Sequence, residues 1–215
     1  MAGAQQAVLL SALSISGKIL TWQTTASQTP ASATVTFSAQ AIGAASADRR
    51  VIVAVSFLGS LPIAINSATI GGVSATIIRQ ASAGVSGTCP TAAIIIANVP
   101  TGTTADVVFN LSNPAALAVI GVWQATGLSA DAAHDSQSAT ATSGTTLATT
   151  TATTSTGFII GASMGAGSTV TWSSFTERYD TSGGSGSEAM TNGTGITETV
   201  TFSNVSNHAL VTASW

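Results

Sequence analysis

The feature that most constrains this chain is its punctuation. Short runs rich in Val, Ile and Thr recur along its length, and turn residues close each one: Gly71-Gly72, Gly84 with Gly87, Pro100-Thr101-Gly102, Asn113-Pro114, Gly165-Ala166-Gly167, Gly183-Gly184 and Asn192-Gly193. β-Branched runs broken by turns every ~8–12 residues belong to two-sheet β folds. The clearest alternation, Ala33 to Ser38, sets Val35 and Phe37 on one face and Thr34, Thr36 and Ser38 on the other. Further strands are expected at Arg50–Leu58, Ala68–Ile78, Ala92–Ala97, Asp106–Leu111, Leu117–Gln124, Thr145–Thr150, Phe158–Ser163, Thr169–Trp172, Thr197–Phe202 and Ala209–Trp215. The expected class is all-β: a jelly-roll-like β-sandwich of about ten strands.

One pentapeptide, Thr-Val-Thr-Phe-Ser, occurs at residues 34–38 and 199–203, with a partial copy at Thr169–Trp172. Each copy reads as a half-buried strand with its aromatic facing inward. The low-complexity stretch Ser138–Thr156 reads as a Thr-rich strand, not a linker. The domain reading is an N-terminal arm, residues 1–21, followed by a single sandwich, residues 22–215. Within the arm, Gln5–Leu13 fits a short helix or an extended segment.

Charge is scarce. Only 6% of residues are charged, with five Lys+Arg against eight Asp+Glu. Too few cations are present to track a phosphate backbone, so nucleic acid is not an expected partner. One cysteine, Cys89, leaves no intramolecular disulfide. No apolar run approaches the ~18 residues of a spanning helix. An outer-membrane barrel would explain alternation into the terminal Trp215, but one Tyr and four Trp are too few for two aromatic girdles. Ala7–Leu13 is apolar without a basic residue before it, so no signal peptide is expected.

Scarcity of charge also bears on assembly. Soluble monomers commonly guard sheet edges with Lys, Pro or inward charges, and this chain has one Lys. Neighbouring subunits are the expected cover, which makes the protein a homo-oligomer. The apolar arm residues Val8, Leu9, Leu10 and Leu13 are the expected attachment surface. Arg49 and Arg50, adjacent cations in a chain with few, are the expected intersubunit contact.

No constellation carries a reaction. Gly161-Ala162-Ser163-Met164-Gly165 matches G-x-S-x-G, with Asp180 and His208 following in hydrolase order. The motif needs a strand–elbow–helix, whereas a second strand follows here. Asp131, His134 and Asp135 form the one His–carboxylate group, too small a set for a metal. Gly183–Ser187 lacks the Lys-Ser/Thr and the helix of a phosphate loop. No catalytic residue, cofactor or metal is assigned. Trp22 and Trp172 are the two tryptophans that could form a carbohydrate-stacking platform.

Four phrases taken together carry a resemblance: Ala47–Val55, Ala68–Thr76, Ala97–Val108 and Ile120–Leu128. Their succession resembles small Ala/Thr/Gly-rich β-sandwich structural proteins of tailed bacteriophages and prophages. The resemblance implies a non-enzymatic virion component, assembled in the bacterial cytoplasm, with capsid or tail subunits as partners. It implies a capsid decoration or head-fibre protein added as an oligomer, with a trimer expected. A tail-fibre or tail-tip protein binding a receptor or carbohydrate is the alternative.

Overall fold

Strands buried on both faces have no polar side to show, and three segments here have that character: Arg50–Gly59, Cys89–Asn98 and Leu117–Thr126 are nearly continuous in buried residues. A strand of this kind needs a layer on each side of its sheet. The computed structural model, which describes residues 17–191 and 193–215, supplies those layers as four stacked antiparallel sheets built from 17 strands. Among the described residues there is no helix.

The first half of the chain holds β1 (Ile19–Gln28), β2 (Ser32–Ala41), β3 (Arg50–Gly59), β4 (Ile65–Ile70), β5 (Val73–Ser74), β6 (Thr76–Ser82), β7 (Cys89–Asn98), β8 (Thr104–Ala115) and β9 (Leu117–Thr126). The second half holds β10 (Asp135–Ala141), β11 (Thr146–Thr151), β12 (Phe158–Gly165), β13 (Val170–Trp172), β14 (Thr176–Thr181), β15 (Gly184–Met190), β16 (Ile196–Phe202) and β17 (His208–Ser214). The first inner sheet runs β1-β9-β3-β7-β6 and its outer partner β2-β8-β4-β5. The second inner sheet runs β10-β17-β12-β15-β14 and its outer partner β11-β16-β13.

The two halves are wound alike. In each, the first strand lies beside the last, the second beside the next to last, and the third beside the one before that. The pairs are β1–β9, β2–β8 and β3–β7 in one half, and β10–β17, β11–β16 and β12–β15 in the other. The inner sheets stack in reversed order: β1 faces β14, β9 faces β15, β3 faces β12, β7 faces β17 and β6 faces β10. Every such contact has its reciprocal, the signature of a two-fold interface, here contained within one chain.

Residue alternation assigns the cores. Along β3, Val51, Val53, Val55 and Phe57 point to the first outer sheet, while Ile52 and Ala54 point to the second inner sheet. β7 divides likewise, with Ile95 outward and Ile94 and Ile96 inward. The central core is closed from the other side by Phe158, Ile160 and Ala162 of β12 and Ala209, Val211 and Ala213 of β17. Leu147, Ile159, Val170, Trp172, Val200, Phe202 and Leu210 fill the third core.

Several expectations are corrected here. Seventeen strands replace about ten, and four sheets replace the two of a single sandwich. β1 starts at Ile19, so residues 19–21 belong to the first inner sheet, not to an arm. Val8, Leu9, Leu10 and Leu13, with the whole Gln5–Leu13 stretch, lie outside the described residues. Ala68–Ile78 divides among β4, β5 and β6, because Gly71 and Gly72, at φ +60° and +79°, turn the chain between β4 and β5. Ser138–Thr156 spans parts of two strands, β10 and β11. The repeated pentapeptide sits on β2 and β16, where Val35, Phe37, Val200 and Phe202 are buried as expected. Those two strands hold different places in the winding, so the pentapeptide does not mark the duplication.

Candidate functional site

One end of the molecule gathers several charged loop residues, the start of β1 and the C-terminal Trp215. β1 enters there beside the end of β9, the connection 127–134 crosses there, and Trp215 ends the chain there. Arg50 pairs with Asp131 of that connection. Asp48 accepts from the Gly127 amide (3.1 Å) and from Ser46, and the Ser46 bond leads in holding its carboxyl below the usual range. The Trp215 indole donates to Asp131 O (3.1 Å), and the His134 amide to Ser214 O (2.7 Å). Each bond ties the connection to one half or the other, so the crossing is held in place.

Between that connection and the second half lies a cleft of about 220 Å³. Leu128, Ala130, Ala132, Ala133 and Trp215 line it, with Lys18, Ser129, His134 and Thr154. Lys18 Nζ donates to Thr154 Oγ1 (3.1 Å). Ile19 and Met190 are exposed at the same end.

Arg49 is not available to a neighbour. It is fully buried and spends its guanidinium on backbone carbonyls: Nε on Val99 O (2.6 Å), Nη1 on Gly43 O (2.8 Å) and Gly102 O (2.9 Å), Nη2 on Thr101 O (2.6 Å). The planar fork suits a cage of carbonyls no ammonium could satisfy alike. Arg49 therefore ties the β2–β3 loop to the β7–β8 loop, and burial pulls its pKa down. Arg50 is likewise engaged within the chain, with Asp131.

The hydrolase-like motif is dismantled by its position. Ser163 lies in mid-β12, fully buried, opposite Leu210 on one side and Ser185 on the other. His208 sits opposite Gly165, stacked on Phe202, with Nε2 between Gly144 O (3.2 Å) and Asn204 O (3.1 Å). The Asp180 carboxylate accepts from the Val170 amide (2.8 Å). The histidine and the carboxylate each serve a different neighbour, and the serine hydroxyl, fully buried, bonds to neither of them.

The remaining candidates are structural. Asp131 is taken by Arg50, and Asp135 accepts from Ser136, Gln137 and Ala152. No group of metal-ligating side chains exists among the described residues. Gly183–Ser187 is no loop: residues from Gly184 onward form β15. Trp172 is buried, stacked on Phe175, with its indole donating to Ser185 Oγ (2.7 Å). Trp22 is half-buried, stacked on Tyr179 and edge-on to Trp123. The pair makes no common platform. Burial pushes the Cys89 thiol up. No helix among the described residues is long and apolar enough to cross a membrane.

The sheet edges carry a guard that sequence reasoning overlooked. Gln23 donates to Thr21 O (3.2 Å), Gln28 to Thr36 O (3.1 Å) and Gln40 to Ser38 O (2.8 Å). Neutral amides thus occupy carbonyls on the edge strands β1 and β2, where other proteins place lysines. Also unforeseen is the opposite end, where Leu61, Val85 and Val205 project from loops. Isolated aliphatics within Gly/Ser/Asn turns give no periodic signal.

Comparison with known protein families, curated proteins and solved structures finds no match.

Proposed function

We propose that this chain is a non-enzymatic structural protein of a bacteriophage virion, a capsid decoration or head-fibre component that joins the particle as an oligomer. The observation that carries the reading is the winding of the two halves. A strand order that nests first against last, second against next to last, across two facing sheets is that of a jelly roll, an architecture used in viral capsids. The chain is then two jelly-roll-like sandwiches placed back to back. The phage-like phrases at Ala47–Val55 and Ile120–Leu128 fall on β3, β9 and the loops flanking them, at the centre of the stack.

The end that gathers Lys18, the connection 127–134 and Trp215 is the natural attachment end, because the N-terminal segment joins the body there. Attachment uses packing and backbone pairing more than ion pairs: all five cations have a partner within the chain, Lys18 in Thr154, Arg79 in Ser138, Arg49 in backbone carbonyls, and Arg50 and Arg178 in carboxylates. Binding should therefore survive ~1 M salt, where the Debye length falls to about 3 Å.

The test is quantitative mass spectrometry of gradient-purified particles, before and after a high-salt wash. Hundreds of copies retained through the wash are expected. A handful of copies would favour the tail-fibre or tail-tip reading with a receptor or carbohydrate partner. Absence from particles would overturn the virion reading.

A further inference from the structure

The two halves of the chain correspond residue by residue where their strands do. β6 and β14 each bulge after their second residue, between Ile77 and Arg79 in one and between Glu177 and Tyr179 in the other. That shared irregularity equates Gln80 with Asp180. Through the strand pairs it also equates Val53, Val55, Ala93 and Ile95 with Gly161, Ser163, Ser185 and Ser187. One latch is common to both halves. Gln80 Oε1 accepts from the Ile65 amide (2.8 Å) and fastens β4; Asp180 Oδ2 accepts from the Val170 amide (2.8 Å) and fastens β13. The first latch is neutral and the second is ionisable.

Further differences fall on the same place. β13 has three residues against six in β4. Beyond it sits a second acidic latch: Glu198, fully buried, accepts from the amides of Ser173 (2.5 Å) and Ser174 (3.0 Å). The face underneath also changes character. In the first half it is apolar, with Val53, Val55, Ala93 and Ile95 in the core. In the second half Trp172 lies over Gly161 and donates to Ser185, while the Ser163 and Ser187 hydroxyls are buried without a partner.

The charges are one-sided. β13 packs on β14, β15 and β16, whose titratable side chains are Glu177, Arg178, Tyr179, Asp180, Glu188 and Glu198. Arg178, Tyr179 and Glu188 are engaged toward the first half. Glu177, Asp180 and Glu198 remain on the β13 side with no cation among them. His208 of β17, the basic group in that core, is held between the Gly144 and Asn204 carbonyls. Burial raises the proton affinity of all three carboxyls, and the Asp180 charge adds to the effect on Glu177. A buried carboxylate without a cation is costly, so ionisation favours returning it to water.

We propose that residues 170–175 form a flap that opens from the second sandwich when Asp180 and Glu198 are ionised, baring the serine face of β12 and β15 and the edge of β16, while β4 stays shut over the apolar face of the first. Opening is a local event that leaves the rest of the fold in place. It costs less here than in the first half, because the bared hydroxyls regain hydrogen bonds to water. The open flap loses its protons from the ordinary values upward, 3.8 for Asp180 and 4.5 for Glu198, whereas the closed flap holds them to higher pH. Closure is therefore complete below the ordinary values and weakens as pH rises through the raised ones. The flap is a property of the chain itself and does not rest on the virion reading.

The test is hydrogen–deuterium exchange of the full chain, read by mass spectrometry and corrected for the intrinsic pH dependence of amide exchange. Between about pH 4 and about pH 7 the opening constant for 170–175 should rise about tenfold for each unit by which closure raises a latch pKa, while that for 65–70 should not rise. Asp180→Asn and Glu198→Gln keep an acceptor oxygen and remove the charge. Each should slow exchange of 170–175 at neutral pH and flatten its pH dependence. Gln80→Glu should transfer the behaviour to 65–70. A parent flap whose opening does not change with pH overturns the proposal, and that measurement needs no variant to fold. So does faster exchange of 170–175 in both neutral variants, the result expected if the carboxylates only brace the segment.

Discussion

The indole nitrogen of Trp123, on β9, donates to the carboxylate of Glu188, on β15, across the boundary between the two inner sheets. The other carboxylate oxygen takes Arg178 of β14. One side chain thus satisfies a buried donor from one half and a cation from the other.

Removing Glu188 should weaken the joint between the halves. Glu188→Ala leaves the fully buried Trp123 indole without an acceptor and Arg178 without its counter-ion, at a cost of about 2–3 kcal/mol. Glu188→Gln keeps an acceptor for the indole and should lose about 1 kcal/mol. Urea unfolding monitored by tryptophan fluorescence gives both values. Equal midpoints for parent and Glu188→Ala would show that the contact contributes nothing.

Arg49→Ala should be among the more damaging single substitutions. It strips donors from the carbonyls of Gly43, Val99, Thr101 and Gly102 and leaves a hole where a whole guanidinium stood. A loss of about 3–5 kcal/mol is expected, from carbonyls that lose their donor together with the cavity left by a large buried side chain. Arg49→Lys should recover only part of it, because an ammonium cannot span carbonyls on both loops. Chemical denaturation of the three proteins orders them.

Ser163→Ala should be harmless or better. The Ser163 hydroxyl is buried without a hydrogen-bond partner, and an unsatisfied buried polar group costs about 1–3 kcal/mol. The variant should be as stable as the parent or gain about 1 kcal/mol. A serine-directed fluorophosphonate should label neither. Labelling of the parent that disappears in Ser163→Ala would revive the hydrolase reading.

Much of this architecture was legible in advance, and the gaps have physical causes. Strands buried on one face announce themselves by alternation, as Val35 and Phe37 do. Strands buried on both faces, such as β3 and β7, announce themselves as apolar runs. β15 does neither. Its Gly184-Ser185-Gly186-Ser187 reads as a flexible loop, yet it is a central strand, because bulky neighbours lie directly over it. A Cβ on Gly186 would lie 2.4 Å from Tyr179 Cε1, and one on Gly121 across the interface 2.2 Å from the same atom. Tyr179 fills the space that both glycines leave, so their smallness records a packing partner the sequence places far away. The same blindness applies to the site: Arg49 and Arg50 are conspicuous as adjacent cations, but no local pattern shows that a cation faces partners within its own chain and not a neighbour. Nor could one expect a second sandwich when the two halves share winding but not sequence.

His208 gives the fold an acid-sensitive point. Burial lowers its proton affinity below the ordinary imidazole value, against the carbonyls of Asn204 and Gly144, which favour the proton. Well above pH 6.5 both folded and unfolded chains hold it neutral, and it adds no pH dependence. As pH falls through 6.5 the unfolded chain takes a proton that the folded chain refuses, so stability declines until the folded pKa is passed. The His208 C2 proton followed by NMR should titrate with a midpoint below 6.5. His208→Gln should flatten the stability profile as pH falls below about 6.5, by about 1.4 kcal/mol for each tenfold difference in proton affinity between the folded and unfolded chains. A midpoint above 6.5 would contradict the burial argument.

The central claim is that two sandwiches of like winding form one body through the shared core of Ile52, Ile94, Trp123, Phe158, Ile160 and Val211. Differential scanning calorimetry tests it most directly. A single transition, with calorimetric and van't Hoff enthalpies equal, is expected, because neither half can leave the other without exposing that core. Two separable transitions, or a calorimetric enthalpy well above the van't Hoff value, would contradict it and make the halves independent domains.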